Sequence, residues 1–208
     1  MLRPVLLTLA LALALPARAA EVTAEALDAL PQADVILLGE VHDNSAHHLN
    51  QARAVAALRP KALVFEMLTP EAAAAAPADR SDAAALGRAL GWDGSGWPDF
   101  ALYHPIFAAA PEARLYGAEW PRDQVRRAVT EGAAAVFGPE AARYGLDRPL
   151  PEAEQSARED EQFQAHCGAM PADLMAGMVQ AQRLRDAALA RAVVQAVEET
   201  GGPVVVIA

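Results

Sequence analysis

The chain has 208 residues, is 53% hydrophobic and 21% charged, and carries a formal net charge of −10. That apolar share excludes a disordered chain and supplies material for one domain, or one domain with a small appendage. The acidic balance, with a pI near 4.9 and no basic run, excludes a nucleic-acid binder, which needs positive surface to displace counterions from phosphates.

Residues 1–19 read as a secretory signal peptide. Arg3 supplies a short positive end, Val5 to Leu15 is a mostly apolar run, and Ala17-Arg18-Ala19 places small residues at the cleavage spacing. The run is about half the roughly 20 residues that a bilayer helix needs, which disfavours a membrane anchor. Cleavage near Ala19 would leave a periplasmic protein two charges more acidic. The single cysteine, Cys167, lies far from that point, so neither a lipid-attachment cysteine nor an intramolecular disulfide is expected.

Residues 20–208 read as one α/β domain, a mostly parallel sheet with flanking helices and a helical subdomain. Four β-rich runs, Val35 to Leu38, Ala62 to Phe65, Arg114 to Gly117 and Val204 to Ile207, are mostly continuous rather than alternating, as strands buried on both faces should be. A helical pattern from Ser45 to Leu58, closed by Pro60, links the first two with the spacing of a right-handed crossover. Its apolar stripe is Leu49, Ala52, Val55 and Leu58, with His48 inside it, His47 at its margin, and Asn44 or Ser45 as N-cap.

Before the third strand come helical stretches at Glu71 to Ala76 and Ser81 to Leu90, then a Gly/Trp-rich loop from Gly91 to Pro98. After it come Asp123 to Phe137, Glu152 to His166 and Pro171 to Glu199, the helical subdomain. The chain stops at Ala208 directly after an apparent central strand, which predicts a domain truncated at its C-terminal end.

Ligands of open parallel sheets bind beyond the carboxyl ends of the strands. The residues following the strands are Gly39-Glu40-Val41-His42, then Glu66 and Met67, then Glu119 and Trp120. Gly39 is expected to permit a sharp turn there. Converging carboxylates repel unless a cation or a shared proton offsets them, so Glu40, His42 and Glu66 form a candidate set for a divalent metal ion. Helix capping explains each acid singly. On the last helix Gln182 falls within an apolar face of Met175, Met178, Leu189 and Val193, with Asp186 alongside, and so needs a partner or a ligand. His166 either ligates iron or ends a helix. The segment Asp99 to Phe107 concentrates Phe100, Tyr103, His104 and Phe107, as either a haem wall or ordinary packing would. The chain lacks a Cys-x-x-Cys-His haem attachment, a P-loop, a dinucleotide glycine motif, a Gly-x-Ser-x-Gly elbow and a His-Glu-x-x-His helix.

Val35-Ile-Leu-Leu-Gly-Glu-Val-His42-Asp-Asn, His47-His48 and Leu63-Val-Phe-Glu-Met67 together resemble the ChaN-like haem-binding uptake proteins of the Tiki superfamily. So do Tyr103-His104-Pro105-Ile106, Gly117-Ala-Glu-Trp-Pro-Arg122 and Ala181-Gln-Arg-Leu-Arg-Asp186. The resemblance implies a periplasmic or outer-membrane-associated protein of iron acquisition, a haem carrier more than an enzyme, in which two subunits enclose a pair of stacked haems. An outer-membrane haem receptor would be its partner.

It also implies iron held by a tyrosine with a histidine assisting, Tyr103 being the candidate. The expected cofactor-binding set is His42, His48, Tyr103, His104, His166 and Gln182, with Phe100, Phe107 and methionines covering a non-covalently bound haem. The wider superfamily carries two Gly-x-x-His turns and includes metal-dependent proteases. Gly39 to His42 matches the first turn and the second would follow Ala208. The alternative function is therefore a metal-dependent hydrolase using Glu40, His42 and Glu66.

Overall fold

Each of the four β-rich runs forms a strand, β1 (Val35–Leu38), β2 (Ala62–Phe65), β3 (Arg114–Gly117) and β4 (Val204–Ile207). They make one parallel sheet in the order β1-β4-β2-β3. The computed structural model describes residues 20–208, so the signal-peptide reading of residues 1–19 lies outside the described residues. The inner strands β2 and β4 are buried at every position, whereas the edge strand β1 exposes Leu37. Side chains alternate across a strand, so the sheet feeds two cores. Leu63, Phe65, Leu115, Val205 and Ile207 face one side; Ala62, Val64, Tyr116, Val204 and Val206 face the other.

The first face is covered by α1 (Ser45–Leu58) and α4 (Phe100–Ala109), with α2 (Pro70–Ala74) and α3 (Ala83–Ala89) beside them. Asn44 caps α1 by accepting the Ala46 N–H, and Arg59, in the left-handed region, ends it before Pro60. The buried positions of α1 are His48, Gln51, Ala54, Val55 and Leu58, while Leu49 is 61% exposed. The expected stripe is thus rotated, because Gln51 and His48 have polar partners inside. No helix was expected around Pro105, yet α4 runs through it with Asp99 as its N-cap. Tyr103, Ile106 and Phe107 pack inward, and the Phe107 ring stacks on Phe65 at 4.3 Å.

The second face is covered by the C-terminal half of α8 (Met175–Thr200), through Ala192 and Ala196. Its N-terminal half builds a separate core with α5 (Arg122–Glu131), α6 (Ala133–Phe137) and the 3-10 turn Ala141–Tyr144, while α7 (Glu152–Ala165) packs along it. The pattern expected to run from Asp123 to Phe137 is broken at Gly132, whose φ of 87° ends α5. No helix among the described residues is long and apolar enough to cross a membrane.

Gly117 closes β3 where the turn after β2 crosses it, and a Cβ there would collide with the carbonyl oxygens of Leu68 and Thr69. Both belong to backbone that anchors the sheet edge, since the Glu119 N–H donates to Leu68 O at 2.8 Å. Gly117→Ala is expected to cost about 1–3 kcal/mol, the range for overpacking a fitted site, read as a lower midpoint in urea unfolding. Gly39 is different. An added Cβ there meets nothing nearer than Ala208 O at 3.8 Å, and the residue is not among the positive-φ glycines, so the expected steric need for glycine is absent.

Candidate functional site

The turn leaving β1 carries Glu40 into the interior beneath α1 and α4, where its side chain is fully buried. An ionised carboxylate only accepts hydrogen bonds, and three side chains donate to this one. Tyr103 OH reaches Oε1 at 2.7 Å, His42 Nδ1 reaches the same oxygen at 2.9 Å, and Gln51 Nε2 reaches Oε2 at 2.9 Å. Gln51 Nε2 also donates to Leu38 O at 3.0 Å, and His48 Nε2 donates to His42 O at 2.9 Å. In the neutral tautomer that donates Nδ1–H to Glu40, the Nε2 lone pair of His42 is free. Its side chain is 41% exposed and meets the Trp97 ring edge-on at 4.8 Å.

Glu66 and Glu119, after β2 and β3, line a small neighbouring cavity of about 100 Å³ with Trp97, Trp120, Arg122 and Arg185. Burial pushes both carboxyls above their ordinary value. His42 and Arg185 oppose the rise at Glu66, and Arg122 opposes it at Glu119. The Trp97 indole N–H is buried without a partner in hydrogen-bond geometry, though it lies close enough to favour ionised Glu119. A carboxyl raised on folding contributes stability that is full below its unfolded value and lost as pH rises through the folded one. Glu66→Gln is therefore expected to raise the melting temperature at pH 7, with the gain vanishing as pH falls toward the ordinary value of 4.5; thermal melts across that range check it.

The structure brings Glu40, His42, His48 and Tyr103 together, leaves Glu66 beside them in the neighbouring cavity, and sends His104, His166 and Gln182 elsewhere. His104 Nε2 donates to Arg80 O at 2.9 Å, His166 ends α7 with Nδ1 donating to Gln162 O at 2.8 Å, and Gln182 donates to Asp186 at 2.9 Å on an exposed face of α8. Gln182 is not the polar residue embedded in α8; Arg183 is. Phe100 and Phe107 are spent in the sheet core. Tyr103 is wholly buried, and burial together with the Glu40 carboxylate drives its phenol far above the ordinary range, so the phenolate form that would bind iron is disfavoured there. Among the described residues no three His, Cys, Asp or Glu side chains are grouped to hold a metal ion, so the expected set of Glu40, His42 and Glu66 finds no support as a metal centre, and the Glu40 oxygens are already taken by protein donors.

A second concavity, of about 460 Å³, lies in the helical layer between α7, α8 and the loop after the 3-10 turn. Its apolar wall is Leu146, Leu150, Ala187 and Ala190, and its polar rim is Tyr144, Asp186 and the guanidiniums of Arg143, Arg158 and Arg183. The volume falls within the range of ordinary small-molecule sites, about 300–1,000 Å³. Tyr103 and Tyr116 are buried and give their hydroxyls to Glu40 and Glu199. Tyr144 is half-buried and lines this cavity, its ring edge-on to Phe137 at 5.3 Å. Sequence reasoning missed Tyr144; the cue available was the turn Tyr144-Gly145, held open by Gly145 at φ 69°.

Haem, the cofactor expected from the sequence, fits the residues of this second cavity: a phenol oxygen for iron, an apolar wall for the macrocycle and guanidiniums for its carboxylates. The 100 Å³ cavity at the sheet edge cannot enclose it.

No curated protein matches the chain. Among solved structures it is similar to that of cofacial heme binding to ChaN of Campylobacter jejuni, at 20% identity and a TM-score of 0.59 over 88% of this chain and 71% of that one. At that identity the likeness is one of fold, and the shared fold is the parallel sheet with flanking helices. The family described as haem-binding uptake, Tiki superfamily, ChaN matches residues 26–208, which take in the Glu40–His42 turn, the Tyr144 cavity and all four strands. The chain belongs to that haem-binding uptake family.

Proposed function

We propose that this chain is an exported carrier of haem uptake that holds haem non-covalently in the helical cavity, with the Tyr144 oxygen as iron ligand. The observation that carries the reading is that Tyr144 combines partial exposure with an open concavity of about 460 Å³ that has an apolar wall and a cationic rim. Bound haem supplies an iron centre that accepts a hard oxygen donor, as tyrosine-ligated haems do. The chain supplies the rest. Leu146, Leu150, Ala187 and Ala190 exclude water, and the cationic rim suits an acidic ligand. Cofacial haem binding in the Campylobacter jejuni protein supports a second copy of this chain covering the outer face. The pattern of residues 1–19 supports export to the periplasm, and the family's uptake context supports delivery to or from an outer-membrane receptor.

A second reading places iron on His42. It is favoured by the free Nε2 beside Trp97 and by the buried carboxylate behind Nδ1, a pairing that strengthens imidazole ligands. Hemin titration of the purified chain separates the two. A shifted Soret band at stoichiometric hemin is expected, with a phenolate charge-transfer band that Tyr144→Phe removes and His42→Ala leaves. Loss through His42→Ala alone would move the site to the sheet edge, and a flat titration would overturn both.

A further inference from the structure

Arg183 occupies the middle of α8 and is only 8% exposed, an expensive place for a charge unless something pairs with it. Its Nη2 donates to Gly145 O and Arg148 O, both at 2.8 Å. Carbonyl dipoles orient a guanidinium but carry no net charge, and no ion pair with a carboxylate is found for Arg183 among the described residues. A guanidinium has five N–H protons, so those on Nε and Nη1 are left over on a residue that lines the cavity.

The neighbouring cations are already matched. Arg143 meets Glu198 at 3.3 Å, and Arg158 meets Glu154 at 2.9 Å and Asp186 at 3.5 Å. Asp186, the acid on the cavity lining, also accepts from Gln182. In a chain of net charge −10, the cavity therefore keeps one embedded positive charge uncompensated, beside an apolar wall.

We infer that Arg183 is the specificity residue of this cavity: it pairs with a free carboxylate of the bound tetrapyrrole, so the site selects porphyrins bearing ionised side-chain acids over esterified ones. The inference rests on the haem reading above and adds to it which group of the ligand is recognised, and by which residue. Both Nη2 protons are already engaged, so the carboxylate meets Arg183 through a single charge-assisted bond from Nε or Nη1, on a cation that stays charged throughout the working pH range. The carbonyls of Gly145 and Arg148 hold the guanidinium in place before the ligand arrives, which limits the ordering cost of binding.

The test compares hemin with hemin dimethyl ester, each titrated into the full chain in the same detergent and followed at the Soret band. The unaltered protein is expected to bind hemin at least about 10-fold more tightly, a charge-assisted pair being worth about that factor. Arg183→Gln should bring hemin down to the affinity of the ester and leave the ester unchanged, and Arg183→Lys should keep part of the preference. Equal affinity of the unaltered protein for both ligands overturns the inference while leaving the haem reading intact. An equal loss for both ligands in Arg183→Gln overturns it too, since Arg183 would then only staple the loop at residues 145–148. Failure of either ligand to bind the unaltered protein removes the haem reading itself. Should Arg183→Gln fold poorly by circular dichroism, the ester comparison on the unaltered protein and the Arg183→Lys variant decide.

Discussion

Tyr144→Phe is expected to bind hemin at least about 10–100-fold more weakly than the unaltered chain, to lose the phenolate charge-transfer band, and to melt at nearly the same temperature. Removing a group that only supports a metal ligand already costs about that factor, and removing the ligand oxygen should cost no less. Stability should hold because the ring, which packs edge-on against Phe137, is retained. Phenylalanine deletes one oxygen at a half-buried position, and surface changes of that kind stay within about 0.5 kcal/mol. Absorbance titration, paired with a melt on the same samples, reads both quantities. An unchanged hemin affinity would exclude Tyr144 as ligand.

The opposite signature is expected at the sheet edge. Glu40→Ala strands the hydroxyl of Tyr103, the amide of Gln51 and the Nδ1 proton of His42, all of which now point at one buried carboxylate. Leaving a buried donor unpaired costs about 1–3 kcal/mol, and three donors lose their acceptor together, so a loss on the order of 3–5 kcal/mol is expected. In a chain of this size that corresponds to a fall in melting temperature on the order of 10 °C. Tyr103→Phe removes a single donor and should cost about 1–3 kcal/mol. Hemin affinity, measured below the melting transition, should be unchanged in both variants. A loss of hemin binding in Glu40→Ala with full retention of stability would instead show that Glu40 serves His42 as a ligand support, and would favour the His42 reading.

These two signatures separate the polar groups that hold the fold from those that meet the ligand, and the amino-acid order distinguishes them poorly. Glu40, His42 and His48 are candidates because polar residues at strand ends and on apolar faces need partners, and Tyr103 is one through the family resemblance and its aromatic segment. The structure shows that they are largely partners of one another. Gln51 escaped notice because α1 was phased on Leu49, an exposed residue. On that helix the burial of His48 and Gln51 is set by Glu40 across the interface, a contact that periodicity does not contain. Arg183 was passed over for Gln182, its neighbour, for a related reason. A rotation of one residue on α8 changes which side chain meets the loop at 145–148, and only packing chooses.

Local chemistry did determine the frame. Continuous runs of Val, Ile, Leu and Phe set three of the strands and Leu115-Tyr116 the core of the fourth, Asn44 and Pro60 bounded α1, and the parallel direction follows from crossovers too long for hairpins. The motifs around Glu40–His42 and Gly117–Arg122 also carried the family. Only the tertiary structure decided where a ligand fits, because a cavity is made by surfaces distant in sequence. Tyr144, Arg158 and Arg183 belong to a turn and two helices with no shared pattern, and they become neighbours when α7 and α8 pack around the loop between them.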